Sequence, residues 1–401
     1  MIYNYEEIKA KVDEIYEDIV SIRRQIHSHP ELSEHEENTA ITIQKELDRL
    51  GIPYEKDVAG HGVYATIYGK NREHGVGIRA DIDALPILEK TESTFKSQNP
   101  GVMHACGHDI HTSILLGTAR ILNEIKDQLP GSVRLLFQPS EETIGGAYQM
   151  IQEGALKSPK IDSVIGLHVE PGVACGKVQI IPGTMNAASC EFYVKVKGET
   201  THGAHPDRGI DALLPACAIV NGFQSIITRR LDPANTALIT VGQFHSGTKN
   251  NIVSGKADFS GIIRTLNLPT RDFIKKEMEK MACSIAESYG ASAEIEFHDS
   301  YPSLENDPVL FEYVKEECEA LLGKENMVVH DLPSLGADDF AYFCHDSRGL
   351  YYNIGTRRAE EEKAYPIHSE YFNPDEECIR VGIMTEIANV FRILDEESKN
   401  W

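Results

Sequence analysis

Over its first 170 residues the chain alternates strand-like apolar runs with helical segments, and three of those strands close on polar residues. "GVGIRADIDALPI" (75–87) reaches Asp81 and Asp83, "GSVRLLFQPSEE" (131–142) reaches Glu141 and Glu142, and "IDSVIGLHVEP" (161–171) reaches His168. Between them, "TSILLGTARILNEI" (112–125) and "GGAYQMIQEGAL" (145–156) carry helical periodicity. Such alternation predicts a mostly parallel α/β sheet with helices on both faces. Ligands of open α/β sheets bind outside the carboxyl ends of the strands, so the three polar ends are expected to line one crevice. Upstream, isoleucines and valines at three- and four-residue spacing predict a helix over 5–28, stopped at Pro30. A second helix is expected from near Ser33, and a strand at "VYATIYG" (63–69).

Near residue 184 the pattern changes. "SCEFYVKVKGE" (189–199), "TALITVGQFHSG" and "KADFSGIIRTL" alternate apolar and polar positions, as half-buried antiparallel strands do. Amphipathic helices are expected at roughly 209–229 and 269–289. The prediction is a catalytic domain of residues 1–184 and 296–401, interrupted by an inserted α+β domain of residues 185–295. "GLYYNIG" (349–355) and a closing helix (375–396) complete the larger domain.

A net charge of −23 argues against nucleic acid or an anionic membrane as partner, since both need a basic face. There is no run of 18 apolar residues, and the N-terminal stretch is acidic and amphipathic rather than signal-like. Eight cysteines without framework spacing read as free thiols, and the chain as cytoplasmic.

The chemistry concentrates in "MHACGHDIHT" (103–112). Cys106 and His108 are one residue apart, so an extended stretch would point both side chains the same way. Thiolate, imidazole and carboxylate are ligands of zinc-like ions. Further candidates are Glu141, Glu142, His168 and, in "YPIHSEYF", His368. With one of the two glutamates ligating, five ligands exceed one zinc and suit two metals about 3.5–4 Å apart. Of the adjacent glutamates, one can ligate while its neighbour moves a proton. The competing reading makes Cys106 a nucleophile beside a distant histidine, which leaves the glutamates and His168 without a task.

The segments "IRRQIHSHPELS", "IRADIDALPI", "MHACGHDIHT", "LLFQPSEE", "GLHVEP", "GIDALLPA", "SLGADDFAYF" and "IHSEYF", in this order from about residue 20 to 395, resemble the amidohydrolase family of hippurate hydrolases, N-acyl-amino-acid amidohydrolases and auxin-conjugate hydrolases. These belong with the two-metal aminoacylase and carboxypeptidase enzymes. The resemblance implies metal ligands at Cys106 (bridging), His108, Glu142, His168 and His368, with Glu141 as general base and acid. It implies an aspartate beside the metal at Asp81. In the inserted domain, a lid that also forms dimers, it implies a catalytic His202 at the start of the first helix. Asn251 and Arg264 fall on substrate-contacting positions. Departures from the family pattern, at "NNIVSG", "TTHGAHP" and "GADD", lie near the substrate and touch neither the ligands nor the base.

The resulting expectation is a metal-dependent hydrolase of N-acyl-L-amino acids. It would use two divalent ions per chain, zinc or manganese, with cobalt or nickel as alternatives. Its partners would be the small substrate and a second copy of the chain, in a homodimer or higher oligomer. A dipeptidase or carboxypeptidase acting on short peptides is the rival within the class. An inactive metal-binding homologue is the rival outside it.

Overall fold

The computed structural model describes residues 4–401, which form two compact units. The larger comprises Met1–Met185, Glu305–Leu332 and Asp339–Trp401, and the smaller Asn186–Leu304 and Pro333–Asp338.

In the larger unit the chain passes through α1 (Tyr5–Ser28), α2 (Glu37–Leu50), β1 (Tyr54–Val58), β2 (Gly62–Ile67), β3 (His74–Asp81), α3 (His108–Glu124), β4 (Ser132–Gln138), α4 (Gly146–Gln152), β5 (Lys160–Ala174) and β6 (Val178–Ile180). It leaves through β7 (Gly183–Asn186) and returns through β14 (Leu304–Asn306). Then follow α7 (Pro308–Leu322), β15 (Met327–Val329), α8 (Ala341–Asp346), β16 (Arg348–Arg357) and α9 (Cys378–Glu397).

The sheet order is β1-β2-β4-β3-β5-β16-β6-β15. Its centre, β4-β3-β5-β16, is parallel, while β1 and β2 add antiparallel and β6 runs against β16. All of β4 and nearly all of β3 is buried, as the continuous apolar character of both runs requires when helices cover both faces. Val76, Ile78 and Ala80 of β3 join one core with the apolar stripes of α1, α3 and α9. Arg79 points to the other face, where Phe340, at the start of α8, stacks on Tyr351 at 4.7 Å. Gly166 lies beneath this pair, and a Cβ there would come within 2.8 Å of the Phe340 ring.

The helix predicted over 5–28 forms over those residues, with Asn4 capping its first turn by accepting from Glu6 N–H. The second helix begins at Glu37 rather than near Ser33, because residues 33–36 are taken up in a turn. The single tryptophan, Trp401, stacks on His74 at the start of β3, with ring centroids 5.4 Å apart, and lies against Gly131.

The smaller unit is a four-stranded antiparallel sheet, β10-β12-β8-β13, with two helices. Its elements are β8 (Ala188–Lys197), β9 (Thr201–His202), α5 (Leu213–Arg229), β10 (Ala237–Ser246), β11 (Ile252–Val253), β12 (Lys256–Thr265), α6 (Leu268–Ser288) and β13 (Ser292–Asp299). In β8, Cys190, Phe192, Val194 and Val196 enter the core while Glu191, Tyr193, Lys195 and Lys197 face out. The expected boundary at 295/296 cuts through β13. That strand pairs with β8 along its whole length, so the unit extends to Leu304. The first boundary falls at 185/186, one residue past the expected one, and residues 333–338 also join this unit.

Candidate metal centre

Asp81 and Gln138, the last residues of β3 and β4, are register partners, so the loops that follow them leave the sheet side by side. One carries Asp83, the other Glu141 and Glu142. His168 lies within β5 rather than at its end, because β5 continues to Ala174 after pairing His168 with Asn353. Cys106 and His108 do not occupy an extended stretch. Gly107 between them has φ +85°, and a Cβ there would sit 2.5 Å from Val169 Cγ2, so glycine alone satisfies both demands. The turn delivers His108 to the first position of α3. His368, also at positive φ (63°), is held by its own N–H, which donates to Ala105 O at 2.8 Å.

These segments assemble two groups of three ligand atoms, each group within 4.8 Å of one another. One is Cys106, His108 and His168, the other Cys106, Glu142 and His368. The thiol belongs to both. Glu141, buried, joins His108 and Glu142 in a further group but stands in neither set that shares the thiol. Cys106 Sγ is 3.4 Å from His168 Nε2, and His368 Nε2 is 3.2 Å from Glu142 Oε1.

Hydrogen bonds fix which imidazole nitrogen faces the centre. His108 Nδ1 meets two acceptors, Asp83 O at 2.9 Å and Asp83 Oδ1 at 3.1 Å, so it carries the proton. His168 Nδ1 likewise donates to Val169 O at 2.8 Å. The Nε2 atoms are thereby turned inward, the arrangement that metal-ligating histidines adopt. Neither His108 Nε2 nor Glu142 Oε1, both buried, meets a partner in good hydrogen-bond geometry; their neighbours are Asp81 Oδ2 at 3.5 Å and His368 Nε2 at 3.2 Å. Buried polar atoms so placed, beside a thiol and further carboxylates, fit divalent cations.

The electrostatics agree. Burial, then the carboxylates of Glu142, Glu141 and Asp81, push the Cys106 thiol well above its usual range. A thiolate, whether ligand or nucleophile, needs the opposite shift, which a cation beside the sulfur would supply. Burial favours neutral His108, yet Asp81 and Asp83 carry its pKa up to about 10. The pocket therefore holds an excess of negative charge that a cation relieves.

Three supporting groups escaped the sequence reading. Asp83 is one, a strand-end residue to which that reading gave no task. His111 is another: Nδ1 donates to Asp81 Oδ1 at 2.6 Å and Nε2 accepts from Val169 N–H at 2.9 Å, joining α3 to the backbone beside His168. Asp81 Oδ2 lies 3.5 Å from His108 Nε2, but its closest imidazole is His111. The third is Arg79, fully buried, which bonds Asp81, Asp339 and Gln138. Asp339 of the divergent "GADD" also accepts from Gln138 and from Ala147 N–H in α4. The i, i+2 spacing of Arg79 and Asp81 was the available signal, since it puts both on one strand face.

The remaining predicted residues belong to the smaller unit. His202 is exposed and lies on the short strand β9 rather than at a helix start, because α5 begins only at Leu213. It pairs with Ile252 of β11, and its Nδ1 accepts from Ala204 N–H at 3.1 Å. Asn251 adjoins it, its carbonyl accepting from Gly203 N–H at 2.8 Å. Arg264 of β12 donates to Ser189 Oγ at 2.6 Å.

A buried thiol, imidazoles and carboxylates gathered around the strand ends of an α/β unit form a site suited to divalent cations. The chain belongs to peptidase family M20/M25/M40, whose model matches residues 77–389. It is 38% identical over 383 residues to thermostable carboxypeptidase 1 of Saccharolobus solfataricus, covering 94% of this chain and 96% of that one. It is 40% identical over 297 residues to an N-acyl-L-amino acid amidohydrolase of Geobacillus stearothermophilus, covering 74% and 80%. Among solved structures, a dinuclear metal binding peptidase of the M20 family from Bacillus subtilis superposes with a TM-score of 0.83 at 31% identity, covering 96% of this chain and 99% of that one.

Proposed function

We propose that the chain hydrolyses the amide bond of N-acyl-L-amino acids with two divalent cations. Cys106, His108 and His168 would hold one, and Cys106, Glu142 and His368 the other, with the thiolate between them. The thiol common to both sets is the observation that most supports this reading. Cations held by these residues would supply Lewis-acid polarisation of the scissile carbonyl and of an attacking water. Glu141, beside both sets yet outside them, takes the proton of that water and delivers it to the leaving nitrogen. His202 stabilises charge on the carbonyl oxygen, and Asn251 and Arg264 bind the substrate, Arg264 through the amino acid's carboxylate. These three roles rest on the family resemblance. Thiolate and imidazole donors favour zinc, while the carboxylate donor keeps manganese beside it, with cobalt or nickel as alternatives. We assign the inserted unit to lid closure and homodimer contact. The cytoplasm is the compartment that suits eight free cysteines.

Cleavage of short peptides is the second reading, favoured by the carboxypeptidase name of the Saccharolobus relative. A hydrolysis panel with added metals separates the two: hippurate, N-acetyl-amino acids, indole-acetyl-amino acids and dipeptides side by side. Turnover of the N-acyl compounds with dipeptides inert supports the first reading. Turnover of dipeptides alone overturns it.

A further inference from the structure

Tyr365 and Tyr371 stand three positions before and after His368, and their rings stack with centroids 5.1 Å apart. Both line a cavity of about 280 Å³, whose other walls come from the 90–92 segment, Pro171 of β5 and Thr356 of β16. Lys90 N–H donates to Glu370 O at 2.8 Å, tying that segment to the loop that carries His368. None of Cys106, His108, Glu141, Glu142, His168 and His368 lines the cavity, so it is separate from the metal centre.

The charges in its walls do not balance. Lys90 is already matched: its Nζ lies 3.2 Å from Glu370 Oε1 and 5.8 Å from the centre of the Tyr371 ring. The carboxylates of Glu92 and Glu361, also in the walls, have no ion-pair or hydrogen-bond partner among the described residues. Thr356 is 1% exposed, and its Oγ1 is buried with no hydrogen-bond partner. Buried hydroxyls are normally satisfied, so an orphan in a cavity wall calls for a group that the protein does not supply. An anion entering here would meet two uncompensated carboxylates, and a neutral molecule would leave both unmatched. A protonated amine answers every feature. Its N–H groups donate to carboxylates and to a hydroxyl oxygen, and tyrosine faces attract its charge. Pro171 and Pro374 offer apolar surface to an alkyl chain.

We propose that this cavity is a binding site for an aliphatic amine in its ammonium form. Glu92, Glu361 and the Thr356 hydroxyl hold the charged end or ends, and the chain lies along Tyr365 and the two prolines. Neither a metal nor turnover is needed for such binding. The occupant rests against the loop that carries His368.

Calorimetric titration of the full chain with cadaverine, a five-carbon diamine, tests this at neutral pH and about 0.15 M salt, where exposed charges are screened beyond about 8 Å. One molecule per chain is expected, with Kd below about 1 mM. Glutarate, of the same length and opposite charge, should not bind. Glu361→Gln and Thr356→Val should each weaken cadaverine by about 10-fold, the worth of a hydrogen bond to a charged group. Tyr365→Leu should weaken it by about 3-fold, through loss of a cation–π face. Glu362→Gln removes the same charge from an exposed neighbour outside the walls and should leave Kd at the wild-type value. Without the amine, Thr356→Val should melt no lower than wild type, because the hydroxyl it loses has no partner. Absence of saturable binding overturns the proposal. So does binding that Glu361→Gln, Thr356→Val and Tyr365→Leu leave unchanged, or that Glu362→Gln weakens as much as Glu361→Gln, since either marks attraction to a chain of net charge −23 as a whole. A Thr356→Val protein that melts lower and keeps wild-type affinity makes the hydroxyl structural and overturns its part in the site.

Discussion

Cys106 Sγ and His168 Nε2 lie 3.4 Å apart, with Cys106 the one residue common to both ligand sets. Replacing its sulfur should therefore disturb both positions at once. Cys106→Ser is expected to lose most bound metal, because a neutral hydroxyl is a poor substitute for a bridging thiolate. Cys106→Asp should keep more, since a carboxylate also bridges. Elemental analysis of the purified variants checks this. A Cys106→Ser protein that is inactive yet holds two ions would favour a sulfur nucleophile.

Glu141→Gln should keep wild-type metal content and lose about 10²–10⁴-fold in kcat, the amount a general base contributes. The amide preserves volume but takes no proton. Steady-state kinetics with parallel metal analysis decides it. Retained turnover would move the base to Glu142.

His202→Ala is expected to lower kcat strongly while metal content stays at the wild-type value. Its neighbours in the smaller unit are Ile252 and Ala204, so its loss breaks little structure. Wild-type kcat on the best substrate would remove His202 from the mechanism.

Arg79→Met should cost about 3–5 kcal/mol of folding stability, because Asp81 and Asp339 would be left buried without their cation. Denaturant unfolding of the metal-free proteins measures it. A loss under about 1 kcal/mol, the range of an exposed pair, would mean the two carboxylates find other partners.

Glu386 of α9 gives a pH dependence with a definite sign. Burial raises its carboxyl pKa from 4.5 to about 8, although Thr118 donates to it. The folded chain thus holds a proton that the unfolded chain releases from pH 4.5 upward. This contribution is intact below pH 4.5 and shrinks as pH rises to about 8, by roughly 1.4 kcal/mol per unit at most. Glu386→Gln should remove that slope and gain stability over wild type progressively between pH 5 and 8. Unfolding curves at several pH values test it, and parallel slopes in the two proteins would refute the assignment.

The layered architecture was legible because β3, β4 and β5 are long enough to be read one at a time, and β8 alternates cleanly. The boundary at 295 failed because "SAEIEFHD" is only half apolar and gave no cue that it pairs with β8. Ligand types could be read from Cys106, His108 and the glutamate pair, since those groups are costly to bury without a task. Their geometry could not. Cys106 and His108 converge through the left-handed Gly107, which no alternation rule anticipates. Asp83, His111 and Asp339 act through partners 25 to 260 positions away in sequence, and a local pattern carries no trace of such bonds.

Trp401 gives the molecule one indole chromophore, and its place determines what light can report. It rests on the His74 ring at one end of β3, whereas Asp81 marks the other, seven residues further along and so about 23 Å away. Emission should be dimmed by the stacked imidazole and recover when the C-terminal segment lifts off. Loading the centre with zinc should leave the spectrum nearly unchanged, while unfolding of the sheet should shift it to the red. A single protein without added dye can thus distinguish loss of metal from loss of fold, and Trp401→Phe supplies the dark control.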